Sequence, residues 1–110
     1  MNSPFEHADP FAALSDPTRR AIVERLATTG PQRVADIADG FDISRQAVTK
    51  HLDILSGAGM VHSERRGRER FSQLADNAFD PILAWLKRYD RFWDDRLAEL
   101  KRLVEEGETS

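Results

Sequence analysis

From Ser44 to Leu55 the apolar residues Val48, Leu52 and Leu55 recur at steps of four and three. That is the spacing of one buried helical face, and Ala47 and Ile54 widen it. Ser44 predicts the start of this helix, because its hydroxyl can accept a hydrogen bond from a backbone N–H one turn in. The outward residues Arg45, Gln46, Thr49, Lys50 and Asp53 form a second continuous face. Just upstream, Val34, Ile37, Ala38 and Phe41 keep helical spacing over a shorter helix, with Asp42 and Ile43 as a tight turn between the two. Gly40 weakens the last turn of the first helix by about 1 kcal/mol relative to alanine.

The flanking patterns are as regular. Asp9-Pro10 and Asp16-Pro17 each pair a capping carboxylate with a proline at the first helical position, where its missing N–H costs nothing. The first predicts a short helix with Phe11 and Leu14 on its apolar face. The second predicts a helix with Ile22, Val23 and Leu26 inward and Arg19, Arg20, Glu24 and Arg25 outward, stopped by Gly30-Pro31. After Leu55, Ser56-Gly57-Ala58-Gly59 allows a left-handed cap and a change of direction. Met60–Arg65 and Glu69–Leu74 then flank Arg66-Gly67-Arg68, which predicts a hairpin with cations at its tip. From about residue 76 to 106, Ile82, Leu86, Tyr89, Trp93, Leu97, Leu100 and Val104 step by three and four in a long helix. Asp76, Asn77 and Asp80 are all possible caps for it, and Pro81 leaves its start open. A small domain cannot cover every side of a helix about 40 Å long, so part of this aromatic surface is expected to pack on a second copy.

Two short helices joined by a turn, the second polar on its free side, predict a helix-turn-helix whose second helix enters a DNA major groove. A basic hairpin directly after it makes the arrangement a winged helix. Arg65, Arg66, Arg68 and Arg70 in that hairpin can lie along a phosphate backbone. The predicted class is thus mainly α with a small β-hairpin: a winged helix-turn-helix with a long C-terminal helix for dimerisation. One domain spans 1–110, with the core and wing in 9–75, the dimerisation helix in 76–106, and flexible tails at 1–8 and 107–110.

Charge sharpens this picture. The 110 residues carry a net −3, which at first argues against a nucleic-acid partner. Residues 44–75, however, hold six Lys/Arg against three Asp/Glu, a local +3, while 1–43 and 76–110 each sum to −3. Salt screens charges beyond about 8–10 Å, so the local balance governs phosphate binding. The acidic total argues only against a binder that works by charge alone. The chain has no cysteine, which excludes disulfides, thiolate metal sites and cysteine nucleophiles and makes a cytoplasmic location the default. No apolar run reaches the roughly 18 residues of a membrane span, and MNSPFEHADP lacks the pattern of a secretory signal. No nucleophile elbow or phosphate-cradling glycine loop is present, so no catalytic residue is assigned and no enzyme is expected.

Taken jointly, SDPTRRAIVERL, VADIADGF, DISRQAVTKHLDIL, GAGMV, RRGRERFSQL and AWLKRYDRFW resemble the ArsR-type winged-helix transcriptional regulators over about residues 9–104. The resemblance implies a homodimer, usually a repressor, on a double-stranded operator of imperfect two-fold symmetry, with a small-molecule inducer that the residues do not specify. It brings Ser44, Arg45, Gln46, Thr49, Lys50 and His51 near DNA, with Arg66, Arg68 and Arg70 in the wing. Gln46, Thr49 and Lys50 are expected to read bases. Ser44, Arg45, His51 and the three wing arginines are expected to hold phosphates. Trp85, Tyr89, Phe92, Trp93, Leu97 and Leu100 are expected to form the dimer interface.

The sequence departs from the metal-sensing members. Where their thiolates would sit, this chain offers only Asp36 and Asp39, and no histidine follows His62. It is similar to a cysteine-free branch, and no metal or other cofactor is expected. Two alternatives remain open at this level. One is a protein-interaction module that dimerises through its aromatics and keeps a vestigial reading helix. The other is a metal-responsive regulator that uses aspartates with His7 or His62.

Overall fold

The computed structural model describes residues 9–108. The expected tail 1–8, with His7, lies outside the described residues. The described residues fall into two compact units, divided between Phe79 and Asp80.

In the first unit the two Asp-Pro pairs act as read. Asp9 accepts a hydrogen bond from the Phe11 amide at 2.9 Å and starts α1 (Pro10–Ala13). Asp16 accepts from the Arg19 amide at 2.9 Å and starts α2 (Pro17–Thr29). In α1 the buried residue is Ala13, whereas Phe11 is 42% exposed and Leu14 half-buried. Leu14 is the C-cap of this helix and lies just beyond its last turn.

Gly30 closes α2 at a φ of 80°, and the chain enters a two-residue strand, β1 (Gln32–Arg33). Next come α3 (Val34–Phe41) and α4 (Arg45–Gly57), the expected helix pair. Asp42 adopts the left-handed conformation between them, φ 53°, a role aspartate tolerates better than most non-glycine residues. The Ser44 hydroxyl accepts from the Ala47 amide at 3.0 Å and caps α4.

Val48, Leu52 and Leu55 of α4 are fully buried and meet Ile22 and Leu26 of α2 and Ile37 of α3 in one core. The far end of α4 is locked by paired reverse bonds. Gly59, at φ 75°, donates its amide to the Ser56 carbonyl, and Met60 donates to the Leu55 carbonyl, both at 3.0 Å. This is a Schellman cap, and its hydrophobic contact is supplied by Leu55 and Met60, both fully buried.

β2 (Val61–Arg66) and β3 (Glu69–Leu74) form the hairpin, turning through Gly67 at φ 68° and Arg68. The sheet has three strands in the order β1-β3-β2, all antiparallel, with Gln32 opposite Ser72 and Arg33 opposite Phe71. β1 leaves no mark in the sequence, because two residues carry no periodicity. Ser72, fully buried in the central strand, shares a 2.9 Å hydrogen bond with Ser63 across the ladder, which satisfies its hydroxyl.

In the second unit, the expected continuous helix is two: α5 (Asp80–Lys87) and α6 (Asp90–Glu108). The Arg88 and Tyr89 amides bond three residues back, to Trp85 and Leu86, so the chain tightens and restarts there. Asp90 stands in the first turn of α6, where its charge complements the helix dipole. The start left open falls at Asp80, and the long helix α6 ends at Glu108 rather than at 106. Every large apolar side chain from Leu83 to Val104 is between 37% and 63% exposed. Among the described residues, no helix is long and apolar enough to cross a membrane.

Candidate nucleic-acid interface

The cap at Ser44 leaves the first turn of α4 with no acidic residue, so the partial positive charge of its N-terminus is not offset locally. Ser44, Arg45, Gln46 and Lys50 are all exposed on this helix, and Thr49 is half-buried beside them. Arg45 and Thr49 form one wall of a groove of about 350 Å³. The opposite wall comes from the hairpin, with Arg65, Arg68, Glu69 and Arg70, and Arg33, Val34 and Ala35 form its end. Five arginines and one carboxylate thus line a cleft between the polar face of α4 and the wing. This juxtaposition brings Arg45, Thr49, Arg68 and Arg70 together; Ser44, Gln46 and Lys50 stand outside the cleft on the same helix.

The wing arginines differ in their partners. Arg66 donates from Nε to Glu64 Oε1 at 2.7 Å and lies over the Phe71 ring, 4.6 Å from its centroid. Arg70 Nη2 lies 3.2 Å from Asp53 Oδ1 of α4. Arg65 and Arg68 have no ion pair among the described residues. His51, expected near phosphate, turns its Nδ1 toward Asp16, 4.0 Å from Oδ2, and that nitrogen is buried without a hydrogen bond. Asp16 therefore both caps α2 and faces the reading helix. Its carboxyl is held below the usual range, chiefly by the Arg19 backbone N–H and further by the charges of Arg19 and His51, against the opposing effect of burial.

Two arginines outside the expected set make structural contacts, Arg33 at the end of the cleft and Arg25 behind it in the chain. Arg33 binds Asp36 with two parallel bonds, Nε to Oδ2 and Nη2 to Oδ1, both 2.9 Å, and reaches Glu69 Oε1 through Nη1 at 3.0 Å. This pairing lowers the Asp36 carboxyl pKa, first through the Arg33 side-chain hydrogen bonds, and raises that of Arg33. Arg25, expected outward, is half-buried instead. Its Nε donates to Gln32 Oε1 at 2.7 Å, its guanidinium sits 5.7 Å from the Phe41 ring centre, and it lies directly against Gly40. An arginine on a polar helix face gives no sign in sequence that its partners will be a glycine and a two-residue strand. Among the described residues no three His, Asp or Glu side chains gather as a metal site.

In the second unit Trp85, Tyr89, Phe92 and Trp93 line an almost wholly apolar groove of about 360 Å³. The Trp85–Tyr89 and Phe92–Trp93 ring centres are each 5.1 Å apart, tilted and edge-on. Leu97 and Leu100 continue the exposed apolar surface along α6.

Helix pair, capped polar helix and arginine-bearing hairpin define a winged helix-turn-helix protein. A sequence profile described as a helix-turn-helix domain matches residues 14–64. The chain is 43% identical over 97 residues to the HTH-type transcriptional regulator Rv2034 of Mycobacterium tuberculosis, covering 86% of this chain and 85% of that one. It is 32% identical over 87 residues to the transcriptional repressor SdpR of Bacillus subtilis, covering 79% and 96%. The solved ArsR-like transcriptional regulator from Rhodococcus sp. RHA1 superposes with a TM-score of 0.67 at 37% identity, covering 89% and 92%. The chain belongs to the ArsR-type winged helix-turn-helix transcriptional regulators.

Proposed function

We propose that the protein is a homodimeric repressor that binds a near-palindromic double-stranded operator in the cytoplasm, without a cysteine metal site. The observation that carries this reading is the shared face on which α4 and the wing line one arginine-rich cleft. A helix fits the major groove, where Gln46, Thr49 and Lys50 read base edges. The uncompensated N-terminus of α4, with Ser44 and Arg45, takes a phosphate. The wing lays Arg66 and Arg68 on the neighbouring backbone. The exposed surface of Trp85, Tyr89, Phe92, Trp93, Leu97 and Leu100 supplies the contact with a second copy, since a patch this apolar is unfavourable in water.

The test is selection of binding sites from random duplexes, together with sedimentation equilibrium of the purified protein. The expected result is a dimer and an enriched site whose half-sites lie about 34–36 Å apart, one helical turn. A dimer that enriches no sequence would favour the protein-interaction reading. A monomer that ignores every duplex at low salt would overturn the proposal.

A further inference from the structure

The wing is tied from two sides. Glu69 and Arg70 are consecutive in β3, so their side chains leave opposite faces of the sheet. Glu69 meets Arg33 at 3.0 Å, which links the wing to β1 and the start of α3. Arg70 meets Asp53 at 3.2 Å, which links it to α4. The Arg70 side chain lines the cleft but is only 24% exposed, against 56% for Arg66, so less of it is free to meet a duplex. Asp53 is the one acid of α4. Left unpaired it would face DNA phosphates and repel them; paired with Arg70 its charge is offset.

We infer that Arg70 is a positioning residue rather than a phosphate ligand. Through Asp53 it fixes the wing relative to the reading helix, while Arg33–Glu69 holds the other face. Arg68 at the hairpin tip is thereby presented to the duplex. This rests on the DNA-binding reading above, with the pairing itself open to test without DNA.

The experiment uses the full chain and the variants Asp53→Asn, Arg70→Gln, their combination, and the charge exchange Asp53→Lys with Arg70→Glu. Without DNA, amide hydrogen exchange over residues 64–70 is expected to quicken about two- to five-fold in each single variant, the range of an exposed ion pair. The combination is expected to be no faster than either single change, and the charge exchange is expected to restore protection. With the selected duplex, both single variants are expected to bind about two- to five-fold more weakly, and the charge exchange to recover toward wild type. Tighter binding by Asp53→Asn, or a salt slope lowered by about one in Arg70→Gln with unchanged wing exchange, would make Arg70 a phosphate ligand and overturn the inference. If wild type binds no duplex, the DNA reading fails, and hydrogen exchange still decides whether the pair holds the wing.

Discussion

Replacing a mid-helix glycine by alanine ordinarily stabilises a helix by about 1 kcal/mol. Gly40, in the last turn of α3, looks suited to that gain. The structure predicts otherwise, because a β-carbon there would run into the Arg25 guanidinium. Moving Arg25 aside breaks its 2.7 Å bond to Gln32, a loss of about 0.5–1.5 kcal/mol. It also lifts the cation off Phe41, a further loss of about 0.5–1 kcal/mol. The displaced side chain is a flexible one, so the lower parts of these ranges apply, and their total of about 1–1.5 kcal/mol equals or slightly exceeds the helix gain. Gly40→Ala is therefore expected to leave stability unchanged or lower it by about 0.5 kcal/mol, the balance of these terms. In an Arg25→Ala background the clash is gone, and the same change is expected to stabilise by about 1 kcal/mol. Urea unfolding of the four proteins closes the double-mutant cycle, with a coupling of about 1–1.5 kcal/mol. A full gain of about 1 kcal/mol from Gly40→Ala in the wild-type background would refute the reasoning.

Other outcomes follow from the same geometry. Ser44→Ala is expected to cost about 1 kcal/mol in urea unfolding through loss of the α4 cap, whereas Ser44→Asp keeps the cap and stability but weakens duplex binding by placing a negative charge toward phosphate. Gln46→Ala and Lys50→Ala are expected to cost about 1–3 kcal/mol on the selected site and to relax base preference; Arg68→Ala weakens all duplexes alike and lowers the salt slope by about one, and titrations at several salt concentrations separate the two patterns. The carboxyls of Asp16 and Asp36 ionise more easily folded than unfolded. Their contribution is fully present above the ordinary carboxylate range and is lost as pH falls below about 4, so Asp36→Asn is expected to flatten the acid limb of a stability–pH curve.

The fold is most legible in the sequence where one residue's chemistry decides the outcome locally. The two Asp-Pro starts, the Ser44 cap, the Gly67 turn and the buried Val48–Leu52–Leu55 face each follow from short-range rules, and each is present. Cation clustering between residues 44 and 75 likewise pointed to the α4–wing cleft. What escaped depends on partners distant in the chain. Strand β1 exists because β3 offers it a free edge, and Arg33 matters because that pairing brings it beside Glu69. The type of His51 and of Arg70, and the place of each on its element, do not reveal that Asp16 and Asp53 stand opposite. The interruption at Arg88–Tyr89 lies in a stretch without glycine or proline, where periodicity alone runs straight through.

The joint between α4 and β2 has a consequence for how such a molecule can change. The Schellman cap leaves no slack: Leu55 and Met60 are sealed on either side of it, and the strand begins at Val61. A strand alternates its side chains with each residue, so one residue added at Ala58–Gly59 would exchange inside for outside along β2 and advance the hairpin by about 3.3 Å. Two residues would restore the parity but overshoot the reach. The distance from rod to hairpin thus works as a ruler with discrete marks, read off the cap and the strand that follows it.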